Sequence, residues 1–294
     1  MAYGTLAFDL LLESIATGLL VGGFYAALSL GLTISFGLTD IANVAHPAFI
    51  FLGAYLALAL SQAFHLDPIV SGVVLVLPFY FLGNALYLFY NKAFERRGES
   101  SLAGLVLFFG LLILLEVGMA SEFGVGLKAI YSPYGSVALN IGPLSLPLRF
   151  VYSFVAGVAA VVLLQLFLTK TFQGRAIRAV AQDAQALSLM GAKPATVKLI
   201  ATGVSMATAA LAGGLILAVG PISPYQDRLL IGRVFAVVVL GGSGSVLGTL
   251  LGGILLGVSE NITTIYLGAG WSLAVSAVIL LAVLALRPSG ILRR

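Results

Sequence analysis

The 294-residue chain contains no cysteine, one tryptophan and two histidines, and only 9% of its residues are charged. The absence of cysteine excludes disulfides, thiolate zinc sites and a cysteine nucleophile. His46 and His65 stand apart from any cluster of carboxylates, so no metal site or metal-dependent catalytic centre is expected. Zincin, nucleophile-elbow and kinase patterns are missing too, and no catalytic residue is assigned. The net charge of +4 comes from short stretches between apolar runs, not from a basic stripe with interleaved aromatics, so a nucleic-acid partner is not expected. The N-terminal MAYGTLAFDLLLESIA lacks a basic n-region and a small-residue cleavage pattern, so its apolar run reads as a retained span.

What the chain does have is apolar length. It is 60% hydrophobic with a mean hydropathy of +1.11, too apolar to cover a water-soluble globule of this size. Apolar runs of about 20 residues recur from end to end, the pattern of membrane-crossing helices and not of barrel strands. The expected fold is all-α, a polytopic bundle of about 8–10 spans forming a single domain over 1–294. Nine segments are placed at about 9–37, 48–63, 69–90, 102–120, 150–168, 199–219, 230–240, 246–266 and 271–286. Lys92, Arg96, Arg97, Lys170, Arg175, Arg178, Lys193, Lys198, Arg287, Arg293 and Arg294 then share one side, which the positive-inside bias makes cytoplasmic. Lys128, Arg149, Arg228 and Arg233 fall on the other. The long stretch 122–148 reads as an outer loop with little regular structure.

The longest polar interval is 169–198, TKTFQGRAIRAVAQDAQALSLMGAKPATVK. Read as one helix over 174–190, it puts Ile177, Val180, Ala184, Leu187 and Gly191 on one face and Arg175, Arg178, Gln182 and Gln185 on the other. Gly191 suits the position just past the last turn, and Pro194 prevents continuation. A cytoplasmic amphipathic helix, too short to span a bilayer, is the expectation.

Three further features stand out. Ser35, Thr39, Asp40, Asn43 and His46 interrupt an apolar run before Pro47, a pattern that fits either a cytoplasmic loop or a broken helix lining a pathway or gate. Glu116 lies inside a span; so do Glu260 and Asn261, which read best as hydrogen-bonding neighbouring helices. Glu116, with Glu122 close by, reads as an acid near the headgroup level. The run GGSGSVLGTLLGGILLG over 241–257 resembles a phosphate cradle but lacks the lysine that a P-loop needs. Gly244, Gly248 and Gly252, four residues apart, read as one face for close helix packing.

GRAIRAVAQDAQALSLMG with KPATVKLIATGVSMATAALAGGL is similar to the cytoplasmic loop and following span of the integral-membrane permease subunits of branched-chain amino acid ABC importers of the Liv-type H kind. GGFYAALSLGLTISFGLTDIANVAHPAF resembles the N-terminal segment of that family and GGSGSVLGTLLGGILLG its glycine-rich C-terminal segment, all in the family's order. The resemblance implies a multi-pass permease in the inner (plasma) membrane with no cofactor of its own. It would work with cytosolic ATP-binding subunits, a second permease subunit in a heterodimer and an extracytoplasmic substrate-binding protein. It makes 169–198 the coupling loop, with Gly174, Arg175, Ala179, Asp183 and Gly191 on the ATPase-coupling surface. Asp40, Asn43 and His46 become candidates for the pathway or gate. Urea, short amides and other amino acids stay open as substrates, and an ion-coupled secondary transporter or a purely structural scaffold are the readings from other classes.

Overall fold

The computed structural model describes residues 2–95, 98, 101–142, 144–287 and 290. Arg96, Arg97, Arg293 and Arg294, counted above on the cytoplasmic side, lie outside the described residues. The order is α1 (Ala2–Thr39), α2 (His46–Phe64), α3 (Pro68–Val74), α4 (Val76–Ala93), α5 (Ser101–Phe123), β1 (Ala138–Ile141), β2 (Leu144–Pro147) and α6 (Leu148–Lys170). It continues with α7 (Phe172–Val180), α8 (Ala184–Leu189), α9 (Pro194–Val219), α10 (Asp227–Gly241), α11 (Val246–Leu267), a 3-10 turn (Ala269–Trp271) and α12 (Ser272–Leu286).

Local chemistry sets most boundaries. Pro47, Pro68 and Pro194 occupy the first turns of α2, α3 and α9, where a missing N–H costs nothing. Asp67 caps α3 by accepting from the Ile69 amide at 2.8 Å, and Ser245 caps α11 through the Gly248 amide at 3.0 Å. Leu75 bends α3 against α4 by 45°, so the third predicted span is a broken one.

Among the described residues seven helices are long and apolar enough to cross a membrane, or eight if the bent α3–α4 pair is one span. α10 has 15 residues, about 22 Å of helix, and falls short of a hydrocarbon core of about 30 Å. Gly241 at its C-terminus meets Gly248 at the start of α11, so a tight turn joins the two helices. The bundle has a hairpin end, carrying β1–β2, and a basic end, carrying α7 and α8.

The predicted loop 122–148 holds more order than expected. β1 and β2 pair antiparallel from Ala138↔Pro147 to Ile141↔Leu144, with Gly142 at φ 60 in the turn. Lys128 bridges Ile222, and the Tyr134 hydroxyl donates to Asp67 at 2.7 Å. Burial, reinforced by the accepting Asp67 carboxylate, pushes the Tyr134 phenol above its ordinary pKa, so it remains a donor at neutral pH.

α1 is the axis. In its most apolar 18-residue stretch 83% of residues are buried, against 28% in α5. Its closest partner is the antiparallel α11: a Cβ on Gly18 would stand 2.6 Å from the Val258 Cα, and one on Gly257 would stand 2.5 Å from the Gly18 carbonyl. Such backbone approach requires glycine on both helices. The predicted packing stripe is therefore real at Gly248 and Gly252, which face Gly241 and Val237 of α10, while Gly253 and Gly257 form a second stripe toward α1. Gly244 is not on that helix: at φ 87 it lies in the preceding turn against Gly37.

Candidate functional site

At the basic end, the interval read as a single helix is two. Thr171 caps α7 through the Gly174 amide at 2.9 Å, and α7 stops at Val180. Asp183 then accepts from the Gln185 and Ala186 amides at 2.8 and 2.9 Å and starts α8. An aspartate in extended conformation cannot satisfy these amides and continue a helix through itself, so the cap divides the interval. α8 ends in a Schellman motif: the Gly191 amide donates to Ser188 and the Ala192 amide to Leu187, with Gly191 at φ 85.

The facial pattern survives the division. Ile177, Val180 and Leu187 are buried, each contributing about 1.5–3 kcal/mol to docking against α6 and α9. Arg175, Arg178, Gln182 and Gln185 are exposed. Of the five predicted coupling residues, Arg175, Asp183 and Gly191 are exposed, Ala179 is partly covered and Gly174 is buried. Gly174 sits where α7 folds back on α6, so close that a Cβ would collide with the Phe167 carbonyl and the Leu168 Cα. Phe172, Leu189 and Met190 leave apolar surface facing outward, each more than three-quarters exposed. A cavity of about 550 Å³ lies among Phe172, Ile177, Met190, Lys193 and Ile200.

The polar interruption after α1 turns back into the bundle. Asp40, at φ 57, is exposed, but Asn43 and His46 are buried. The His46 ring lies against Gly31, eight residues before the end of α1, so α2 begins about 12 Å inside the basic end. Among the described residues Asn43 Oδ1 and Ser35 Oγ have no hydrogen-bond partner, while the His46 ring interacts with the Leu28 backbone. Irregular backbone with unpaired polar atoms at that depth fits a broken helix and not a surface loop.

Toward the hairpin end, both intramembrane acids are paired with α10. Arg228 Nε and a terminal amino nitrogen donate to the two Glu116 oxygens at 2.7 and 2.6 Å, and Glu116 is 1% exposed, so this acid is turned into the protein and paired. Glu260 accepts from Arg233 Nε at 3.0 Å and from the Tyr25 hydroxyl at 2.7 Å, tying α11 to α10 and α1 as expected, whereas Asn261 bonds within its own helix to the Gly257 carbonyl. Of Arg228 and Arg233, assigned above to the outer side, Arg228 is exposed and reaches Glu116 with its guanidinium, whereas Arg233 is partly buried against Glu260. At the basic end Glu95 pairs with Lys198 and accepts from the Tyr87 hydroxyl.

This architecture agrees with comparisons to known proteins. The family described as "Branched-chain amino acid transport system / permease component" matches residues 14–284. The high-affinity branched-chain amino acid transport system permease protein LivH of Escherichia coli K12 is 28% identical, with 96% of each chain covered. BraD of Pseudomonas aeruginosa is equally similar over 96% of each chain, and a probable LivH of Methanocaldococcus jannaschii is 28% identical over 90% of this chain and 87% of its own. Among solved structures, PsaBC from Streptococcus pneumoniae in complex with Fab covers 95% of this chain and 92% of its own at 14% identity, with a TM-score of 0.48. A family match over residues 14–284, on a bundle with seven helices able to cross a membrane, makes this chain a multi-pass membrane protein of the branched-chain amino acid permease-component family.

Proposed function

We propose that the chain is a single-domain permease subunit of an ABC importer in the inner (plasma) membrane, translocating branched-chain or related amino acids. Separate cytosolic ATPases would drive it, with a second permease and an extracytoplasmic binding protein completing the assembly. The observation that carries this reading is the α7–α8 element: two short capped helices fixed by Ile177, Val180 and Leu187, offering Arg175, Arg178 and an apolar rim to the basic end. An ATPase groove that grips this element in one nucleotide state and not in the other would supply the differential contact that coupling requires. Arg175, Ala179, Asp183 and Gly191 would meet the ATPase directly, and Gly174 would act from beneath by fixing α7 to α6.

Gentle extraction of the tagged chain from its native membrane tests the assembly. The expected result is recovery of ATP-binding subunits and a second permease, lost when the segment 175–191 is altered. A stable complex without an ATPase sinks the importer reading and favours a self-sufficient transporter.

The same reading makes Asp40, Asn43 and His46 part of the gate at the basic end. Asn43→Ala removes a buried amide whose Oδ1 has no partner among the described residues, so it should cost little stability. It is expected to change the uptake rate at unchanged permease level. Uptake equal to wild type would remove this segment from the pathway.

A further inference from the structure

An open cavity of about 440 Å³ lies on the hairpin half of the bundle, lined by α1, α2, α6, α9, α10, α11 and the start of α12. Arg233, Glu260 and Tyr25 line it together with Gln226 and Ser272. Glu260 is seven residues from the end of α11, about 10 Å below the hairpin end. Ions at that depth are expensive and mark function where they meet a water-accessible space.

The pair is only partly satisfied by the protein. Arg233 gives one hydrogen bond, from Nε, and neither terminal amino group donates to a described residue. Glu260 accepts two bonds, one on each oxygen, where a carboxylate has room for about four. Tyr25 steadies both partners: its hydroxyl holds Glu260 Oε2, and the guanidinium stands 5.9 Å from its ring centre. The side chains of Glu260 and Arg233 are 5% and 23% exposed, so neither is an ordinary surface charge.

A donor fork beside an acceptor carboxylate matches the two charges that every free α-amino acid carries on adjacent groups. Apart from the uncharged polar Gln226, Asn261, Thr264 and Ser272, the rest of the lining is aliphatic and aromatic, including Val21, Leu28, Phe51, Ile216 and Leu230, with no further charged residue among the described residues. Such walls receive an apolar side chain and leave a charged one unpaired, which is costly. The volume falls within the about 300–1,000 Å³ common to small-molecule sites.

We propose that this cavity is a binding site within the subunit for a zwitterionic α-amino acid with an apolar side chain, its carboxylate on Arg233 and its ammonium on Glu260. This rests on the importer reading above and places a substrate station inside this chain.

The test uses the assembled importer in lipid nanodiscs without its binding protein. Equilibrium dialysis with L-leucine, 4-methylpentanoate and 3-methylbutylamine should show retention of leucine and at least about tenfold less of each analogue, since each lacks one charge-assisted contact. Equal retention of either analogue, or no retention of leucine, overturns the site. In proteoliposomes with the binding protein and ATP, Glu260→Gln and Thr264→Trp should each cut leucine uptake by about tenfold or more, while leucine-loaded binding protein still stimulates ATP hydrolysis. Thr264 is exposed on the cavity wall, so its variant decides the matter should Glu260→Gln fail to assemble. Wild-type uptake with both variants equally active refutes the site and leaves the importer reading intact. A wild-type complex that takes up no amino acid refutes the importer reading itself.

Discussion

Leucine in place of Gly191 is expected to lower ATP-driven uptake to less than about a tenth of wild type while the permease accumulates normally, a loss of the size seen at interface hot spots. The glycine has φ 85 in the Schellman turn that closes α8, and a Cβ there would meet nothing within 4 Å. The left-handed backbone costs an ordinary residue about 1–2 kcal/mol, a strain confined to a surface element that α7 still anchors. Stability should therefore change little, and a side chain would project from the surface proposed to meet the ATPase. Uptake measured against permease level in the same membranes checks this. Normal uptake with normal ATPase association would remove Gly191 from the coupling surface.

Leucine in place of Gly22 should do the opposite, removing the protein itself. A Cβ at this position collides with the Ile254 Cα and sits 2.7 Å from the Gly253 carbonyl, both backbone atoms of α11 that no rotamer change can move. Overpacking of this kind costs about 1–3 kcal/mol and more where a helix pair must separate. Permease in the membrane should fall several-fold, with what remains aggregating on extraction. Gly110→Leu is the control, because a Cβ on Gly110 meets nothing within 4 Å on the thinly buried α5. Equal accumulation of the two variants would show that the α1–α11 contact is not what holds the bundle.

The spans were legible because a bilayer imposes a length and a composition, and 246–266, predicted from hydrophobicity, became Val246–Leu267. Glycine spacing was legible as far as one face: Gly248 and Gly252 announced themselves, whereas the face formed by Gly253 and Gly257 could be told apart only once both partner helices were in place. The division of α7 from α8 had a signal in Asp183, an N-cap residue amid good helix formers, but the continuous apolar stripe outweighed it. The Arg233–Glu260–Tyr25 cluster had no local signal at all. Its members are 27 and 235 positions apart in the pairs that bond, and pairing across helices is fixed by packing that no sequence window contains.

The reliance of α1 on α11 also sets a schedule for biosynthesis. The glycines at positions 18 and 22 are made well before their partners at 253 and 257, which follow more than 200 residues later. At about 5–20 residues per second, some tens of seconds pass between the two. Throughout that interval the most enclosed helix of the finished bundle holds an open seam of small residues, Ser14 among them, which another chain's helix could fill. The nascent protein is therefore most vulnerable to mispairing at the very helix that is safest once synthesis ends, and a truncation before α11 should leave that seam permanently open.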